Sequence, residues 1–138
     1  MVSQSLPDLS YQEFFLWLIR RRRRFRVTGN SMLPLLHPGE EVLINPFAYR
    51  DREAPAYAVR APAIGDIVVA THPYKPKLIV KRIAAINPDC SIFLIGDNLS
   101  ASTDSRSFGT VSLKDVSGKV TARFGFKNLK SQSAKTNL

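Results

Sequence analysis

Cysteine is nearly absent from this sequence, and histidine is almost as scarce. The chain of 138 residues has one cysteine, Cys90, and two histidines, His37 and His72. A single cysteine excludes an intrachain disulfide and fits a reducing compartment. These side chains are also too few for a convincing zinc or nickel site, so we expect no metal and no other cofactor.

Long apolar runs are lacking as well. The apolar run at 14–19 has six residues, whereas a membrane-spanning helix needs about 20. Arginines at 20–24 follow this run, although the charged region of a secretory signal precedes its apolar region. The sequence therefore predicts no transmembrane segment. We expect a cytoplasmic protein, or one that binds peripherally at the inner face of the membrane.

Acidic residues are outnumbered, and the excess positive charge lies at the two ends of the chain. The net charge is +9, of which residues 1–26 and 121–138 each carry +4 and residues 27–120 carry +1. Basic ends can bind nucleic acid or anionic lipid, but they are as often simply solvated. Because the body of the chain is near neutral, nucleic acid is an unlikely partner, and an anionic membrane remains a candidate.

The first hydrophobic pattern is typical of a short helix at residues 10–24. Ser10 and Glu13 fit a capping box, and apolar residues recur at helical spacing after them: Tyr11, Phe14, Phe15, Leu18 and Ile19. This apolar face either packs on the domain or lies in a membrane surface while the arginines contact lipid phosphates. The sequence leaves both interpretations open.

From Val27 onward the pattern changes to strands. Short runs rich in Val and Ile are separated by Gly, Pro, Asn and Asp, as hairpins require. The predicted strands are 41–44, 66–71, 78–86, 91–95 and 116–124. Residues 45–64 contain three prolines and read as a loop or insertion. We predict a mainly β fold with a helical leader at 1–26, a single compact domain at 27–124 and a basic, frayed tail at 125–138.

Ser31 is a candidate nucleophile. It follows Gly29-Asn30 and precedes Pro34, in a turn that would expose its hydroxyl and leave backbone N–H groups free to stabilise an oxyanion. Most serines in such turns only form local hydrogen bonds. A serine nucleophile also needs a base. His37 and His72 each stand next to a proline and read as ordinary loop residues, without an acid that marks a Ser-His-Asp triad.

Lys81 is a candidate base. Strand alternation places it on one face with Ile79 and Ile83, and burial there would lower its pKa and make the neutral amine available. Arg82 cannot take this role because its guanidinium stays protonated. The alternative is that Lys81 lies along the surface with its ammonium in water.

The third candidate segment is polar and spans residues 96–106. Asp104 and Arg106 are alternate residues that could form an ion pair, and Ser102 could hold a neighbouring polar group. By composition alone the segment is equally an ordinary polar hairpin loop.

Together these segments resemble the conserved boxes of the signal peptidase I superfamily. Residues 30–34 (Asn-Ser-Met-Leu-Pro) resemble its nucleophile box, and 65–69 (Gly-Asp-Ile-Val-Val) its Gly-Asp strand. Residues 80–83 (Val-Lys-Arg-Ile) resemble its lysine box. The final box is represented by 96–98 (Gly-Asp-Asn) with 102–109. The resemblance covers about residues 27–120, in the family's order.

The resemblance implies a signal-peptidase/LexA-like catalytic β domain that hydrolyses peptide bonds with a Ser–Lys dyad and without a cofactor. Ser31 would be the nucleophile and Lys81 the general base. The Ser31 backbone N–H would form the oxyanion hole. Ser102 would orient the Lys81 amine, and Asp104 with Arg106 would form a structural ion pair beside the site.

The chain also departs from the family pattern. Leu35 stands where the family usually has threonine, and Gly29 stands where some members have a second serine. Ordinary signal peptidases carry an N-terminal membrane anchor and often a large second β region, and we expect neither here. In its length the chain resembles the maturation peptidases of nickel-type superoxide dismutase. This likeness implies that the substrate is the dismutase precursor, from which an N-terminal extension is removed.

Three alternatives stay open. A peripheral signal peptidase acting on exported precursors would need residues 14–24 to bind anionic vesicles. A LexA-like self-cleaving regulator would need a cleavage dipeptide such as Ala-Gly or Cys-Gly ahead of Ser31, and the sequence has none. A non-catalytic basic binding module would not need Ser31 and Lys81 in matching boxes.

Overall fold

β-strands make up most of the regular structure in the computed structural model, which describes residues 6–49 and 61–124. The elements are, in chain order, α1 (Tyr11–Leu18), β1 (Arg23–Arg26), β2 (Glu41–Asn45), β3 (Ile67–Thr71), β4 (Leu78–Ile86), β5 (Ser91–Ile95), a 3₁₀ turn (Leu99–Ala101), α2 (Ser105–Phe108), β6 (Val111–Ser112), a second 3₁₀ turn (Leu113–Asp115) and β7 (Val116–Arg123). The mainly β prediction is confirmed.

The strands form one antiparallel sheet in the order β1-β2-β7-β3-β4-β5-β6. The central strand β3 is buried on both faces: Val68 and Ala70 belong to one apolar cluster, and Ile67 and Val69 belong to another. This explains why β3 reads as a continuous apolar run, because a strand buried on both faces does not alternate with polar residues.

The predicted strands agree closely with the observed ones. Two predicted strands, 78–86 and 91–95, have the bounds of β4 and β5, and the other three differ from β2, β3 and β7 by one residue at one end. The short strand β6 was not predicted. Of the predicted loop at 45–64, residues 50–60 lie outside the described residues, as does the predicted tail at 125–138.

The predicted helix at 10–24 is too long. It begins as expected, because Ser10 Oγ accepts a hydrogen bond from Glu13 N–H at 3.1 Å. It ends at Leu18, and Arg20 has a left-handed backbone with φ 66°. Arg23, Arg24 and Arg26 lie in β1, which pairs with β2, and the Glu41 carboxylate binds both Arg24 and Arg26. This contact with β2 explains why arginines form an edge strand.

The face of α1 that packs on the sheet is not the one that the periodicity indicated. Glu13 accepts a hydrogen bond from Thr121 Oγ1 on β7 at 3.0 Å, and the Trp17 ring lies 4.9 Å from that of Phe124. The side of the helix with Tyr11, Phe15, Leu18 and Ile19 is exposed. Within the described residues, no helix is long and apolar enough to cross a membrane.

Candidate active site

Ser31 lies in a turn that is anchored by its apolar neighbours. Met32 and Leu36 are fully buried and belong to the same core cluster as β2 and β3 residues. Leu35 packs against that cluster, so leucine makes an apolar contact at the position where the family usually has threonine. Ser31 itself is only partly buried. The turn therefore holds the backbone firmly and leaves the hydroxyl accessible.

A second segment clamps this turn from the other side. Asn98 N–H donates to the Ser31 carbonyl at 2.8 Å, and Asn98 Nδ2 donates to the Asn30 carbonyl at 3.1 Å. A Cβ at Gly96 would lie 2.6 Å from the Ser31 carbonyl oxygen and 2.2 Å from Ser102 Oγ. Only glycine allows this approach, because real Cβ atoms are not found so close to other heavy atoms.

Lys81 is buried in the middle of β4, with 5% of its surface exposed. Its neighbours on the same face, Ile79 and Ile83, belong to the core. The Lys81 Nζ donates a hydrogen bond to Ser102 Oγ at 3.2 Å. The alternative that this ammonium extends along the surface into water is therefore wrong.

Ser102, Asp104 and Arg106 form a fixed chain of hydrogen bonds behind Lys81. Asp104 is fully buried, and its carboxylate receives Ser102 Oγ at 2.9 Å, Gly96 N–H at 3.0 Å and the Arg106 guanidinium at 2.8 and 3.0 Å. It also caps α2 by accepting from Arg106 N–H at 3.1 Å. An ionised carboxylate can only accept. The Ser102 hydroxyl therefore donates to Asp104, and its oxygen accepts from Lys81.

The charges of this chain are set by burial and by the hydrogen bonds. Burial raises the pKa of Asp104, but the bonds from Arg106, Gly96 and Ser102 outweigh it and lower that pKa to about 2. Burial lowers the pKa of Lys81; Asp104 opposes this, while the charges of Lys77 and Arg106 lower it further. The neutral amine of Lys81 is thus more available than that of an exposed lysine.

Ser31 and Lys81 line the same cavity, which has a volume of about 230 Å³. Among the described residues, Lys81 Nζ bonds to Ser102 Oγ and not to Ser31 Oγ. Catalytic hydrogen bonds of this kind are often long before substrate binds and tighten in the complex. Ser31 N–H also donates to no other described residue, which leaves that donor available to an oxyanion. The structure thus brings the predicted site residues together.

Sequence reasoning missed His72. It is buried, with 7% of its surface exposed, and lines the cavity. Its Nδ1 accepts from Tyr74 N–H at 3.0 Å, and its ring lies 4.8 Å from that of Phe108. Burial and the nearby lysine charges lower its pKa. His72 does lie in a loop, between β3 and β4, as predicted, but its burial was not expected. His37 lies in an exposed loop, as predicted.

The ion pair between Arg82 and Asp97 was also not predicted from the sequence. The Arg82 guanidinium donates to Asp97 at 2.8 and 2.9 Å and to the Gly65 carbonyl at 3.0 Å. Asp66, the acidic residue of the predicted Gly-Asp strand, accepts a hydrogen bond from Tyr49 Oη at 2.6 Å. These contacts join the start of β3, β4 and the segment after β5.

Within the part of the chain that is described, no three His, Cys, Asp or Glu side chains are placed to hold a metal ion.

Comparison with known proteins identifies one family. The family model described as "Signal peptidase, peptidase S26" matches residues 14–90 and 88–125. The chain is 32% identical to mitochondrial ATP-independent inner membrane protease subunit 1b of Arabidopsis thaliana, over 67% of this chain and 63% of that protein. The chain thus spans less than two thirds of that relative's length.

Two further relatives have similar names. Mitochondrial ATP-independent inner membrane protease subunit 1a of Arabidopsis thaliana is 28% identical over 87% of this chain and 83% of its own length. Mitochondrial inner membrane protease subunit 1 of Schizosaccharomyces pombe is 32% identical over 70% of this chain and 69% of its own length. Each name describes a protease subunit of an inner membrane.

Proposed function

The chain belongs to the peptidase S26 family of signal peptidases, and we propose that it is a serine endopeptidase with a Ser–Lys dyad. Ser31 is the nucleophile and Lys81 the general base. Ser102 orients the Lys81 amine, while Asp104 and Arg106 hold Ser102. The reaction removes an N-terminal extension from a precursor protein and uses no cofactor.

One observation carries this proposal: a nearly fully buried lysine whose hydrogen-bond partner is a hydroxyl. Lys81 Nζ bonds to Ser102, and Asp104 lies beyond that hydroxyl. A carboxylate in direct contact would favour the charged ammonium. With the hydroxyl between them, Asp104 fixes the direction of the Lys81 hydrogen bond while burial still favours the neutral amine. Such an amine can accept the proton of a nearby hydroxyl.

The proposed reaction follows from this arrangement. Lys81 as a free amine accepts the Ser31 proton while Ser31 Oγ attacks the scissile carbonyl. The oxyanion accepts a hydrogen bond from Ser31 N–H. The Lys81 ammonium then protonates the leaving amine, and the peptide bond breaks to leave an acyl ester on Ser31. Lys81 next takes a proton from water as the water oxygen attacks the ester. The Lys81 ammonium returns this proton to Ser31 Oγ as the ester C–O bond breaks, which releases the acyl group as a carboxylic acid and restores the free amine.

The test of this chemistry is the Ser31→Ala variant, with Ser107→Ala as a matched control at an exposed serine. Cleavage of a pool of synthetic peptides is followed by mass spectrometry. We expect Ser31→Ala to fold normally and to lose cleavage, while Ser107→Ala keeps it. Acid quenching of the wild type should trap an acyl adduct on Ser31. Wild-type turnover by a folded Ser31→Ala protein would exclude the assignment.

For the substrate, we propose the precursor of a nickel-type superoxide dismutase, on the basis of the family resemblance described in the sequence analysis. The names of the relatives found do not mention this substrate. The purified protein is incubated with the dismutase precursor, and the new N-terminus is read by mass spectrometry. We expect one cleavage that frees the nickel-binding residues. An intact precursor under conditions that cleave synthetic peptides would rule this substrate out.

The exposed side of α1 favours a second candidate, a peptidase that binds peripherally to an anionic membrane and acts on exported precursors. Tyr11 and Leu18 are 84% and 61% exposed, and the Arg21 guanidinium lies 5.4 Å from the Phe47 ring centroid. An apolar helix face bordered by arginines suits an anionic lipid surface. The relatives' names place them at an inner membrane, which agrees with this candidate.

Vesicle sedimentation tests the second candidate, the peptidase that binds peripherally to an anionic membrane. We expect the wild type to bind vesicles that contain phosphatidylglycerol and not vesicles of phosphatidylcholine alone. A Phe15→Ser/Leu18→Ser variant should lose this binding and keep its cleavage of synthetic peptides, since both side chains are exposed. No binding to either vesicle would exclude the peripheral membrane role.

A further inference from the structure

The hairpin between β3 and β4 brings two lysines to the cavity that contains Ser31 and Lys81. Lys75 and Lys77 both line this cavity. Lys77 directly precedes β4, and its carbonyl accepts from His72 N–H, which continues the pairing of β3 with β4 by one residue. Its side chain therefore lies on the same face as those of Ile79 and Lys81. Four residues of extended strand span about 13 Å. Lys77 therefore lies at the outer end of the cavity and Lys81 near its inner end.

The hairpin is held in place by His72. This residue is buried against Phe108, its N–H donates to the Lys77 carbonyl at 2.8 Å, and its Nδ1 accepts from Tyr74 N–H. Pro73 and Pro76 flank Lys75 in the loop and restrict its backbone. The two lysines thus project from a fixed support, although their own side chains are exposed.

The described part of the cavity lining contains no acidic residue to neutralise these charges. Asp104, which lies behind Ser102 and Lys81, is already bound to Arg106. The charge of Lys77 reaches the inner end of the cavity, since it lowers the pKa of Lys81. A peptide that enters the cavity therefore meets a positive potential that the described lining residues do not balance.

Resting on the proposed peptidase function, we propose that this cavity selects peptides with an acidic side chain close to the scissile bond, which Lys75 and Lys77 bind. An extended peptide advances by about 3.3 Å per residue, so the acidic residue lies within about four residues of the cleaved bond. Because the lysines are exposed, the attraction is modest and weakens as salt is added.

The experiment compares matched peptides that carry Asp or Asn, and Glu or Gln, at each position around the bond that the wild type cleaves in a synthetic pool. We expect the acidic peptide to have the higher kcat/KM by about three- to tenfold at low salt at one position or more. The Lys75→Gln/Lys77→Gln variant should lose this ratio, mainly through KM. Lys114→Gln, an exposed lysine outside the cavity lining, should keep it.

Equal cleavage of acidic and amide peptides by the wild type, or a ratio that survives in the double lysine variant, would overturn the subsite and leave the peptidase function intact. Binding of the same fluorescent peptides to folded Ser31→Ala protein decides the reverse case. If no peptide is cleaved but Ser31→Ala binds the acidic peptide more tightly, and only with Lys75 and Lys77 present, the subsite stands and the proposed function falls. If no peptide is cleaved and Ser31→Ala protein binds acidic and amide peptides equally, both the subsite and the proposed function are excluded.

Discussion

Lys81 and Arg82 are neighbours on β4, yet their side chains lie on opposite faces of the strand and bind different kinds of partner. Lys81 is buried with a neutral hydroxyl as its partner. Arg82 is held in a two-point ion pair with Asp97. A carboxylate in direct contact stabilises a cation, whereas burial beside a hydroxyl favours the neutral form. The comparison shows how one strand can supply a base on one face and a structural cation on the other.

The largest expected effect comes from removing the base. Lys81→Met keeps the apolar stem, and Lys81→Arg keeps a cation that cannot accept a proton. We expect both variants to lose at least about 10³-fold in kcat/KM. Lys81→Met should remain as stable as the wild type, because it removes an amine whose burial is unfavourable when charged. Peptide turnover and urea unfolding measure the two quantities. Substantial turnover by the arginine variant would reduce Lys81 to an electrostatic role.

Gly96→Ala tests the packing that brings Ser31 and Ser102 together. The backbone of Gly96 does not have a left-handed φ, so the cost of the methyl group is steric. We expect a loss of about 1–3 kcal/mol in the free energy of unfolding and of about 10²-fold in turnover. Adding Ser102→Ala removes the Oγ contact and leaves the contacts with the Ser31 carbonyl oxygen and Ser102 Cβ, so it should restore a small part of the stability and none of the activity. An unchanged enzyme would show that the two segments are not packed so closely.

Breaking the ion pair between Arg82 and Asp97 should have a smaller effect on turnover than either change above. Arg82→Met leaves the Asp97 carboxylate without its main partner, which should lower the free energy of unfolding by roughly 1–3 kcal/mol. Turnover per folded molecule should stay within about tenfold of the wild type. Adding Asp97→Leu should cost less than the sum of the single changes. If Arg82→Met abolishes turnover in a stable protein, the contrast between the two cations is wrong.

The smallest effect is the pH dependence of stability that Lys81 causes. Its pKa is lowered in the folded state, so between that value and the ordinary lysine value of about 10.4 the unfolded chain binds more protons. Stability relative to Lys81→Met should therefore rise with pH in this window, by at most about 1.4 kcal/mol per pH unit. Urea unfolding of both proteins across the range measures it. Wild-type activity should rise with pH through the lowered pKa of Lys81 and level off within this window, because the amine of the folded enzyme is already neutral there. Parallel stability curves would contradict a lowered pKa.

Much of the fold could be predicted from the sequence because strand signals are local. Alternation around Lys81 placed it correctly on the face of Ile79 and Ile83. The arginine strand β1 could not be predicted in this way, because its stability comes from Glu41 and Phe124, which are distant in sequence. The same holds for α1, whose packed side is decided by Thr121 and Phe124 and not by its own periodicity.

The sequence by itself determined which residues are candidates for chemistry: Ser31, Lys81, Ser102, Asp104 and Arg106 carry side chains whose types and order match a known family. Only the tertiary structure decided their states. A pKa depends on burial and on partners within a few ångströms, and residues 31, 81 and 102 become neighbours only when the segment after β1, strand β4 and the segment after β5 pack together around Gly96. The burial of His72 in the cavity lining also depends on the tertiary structure, because its ring packs against Phe108, which is distant in sequence.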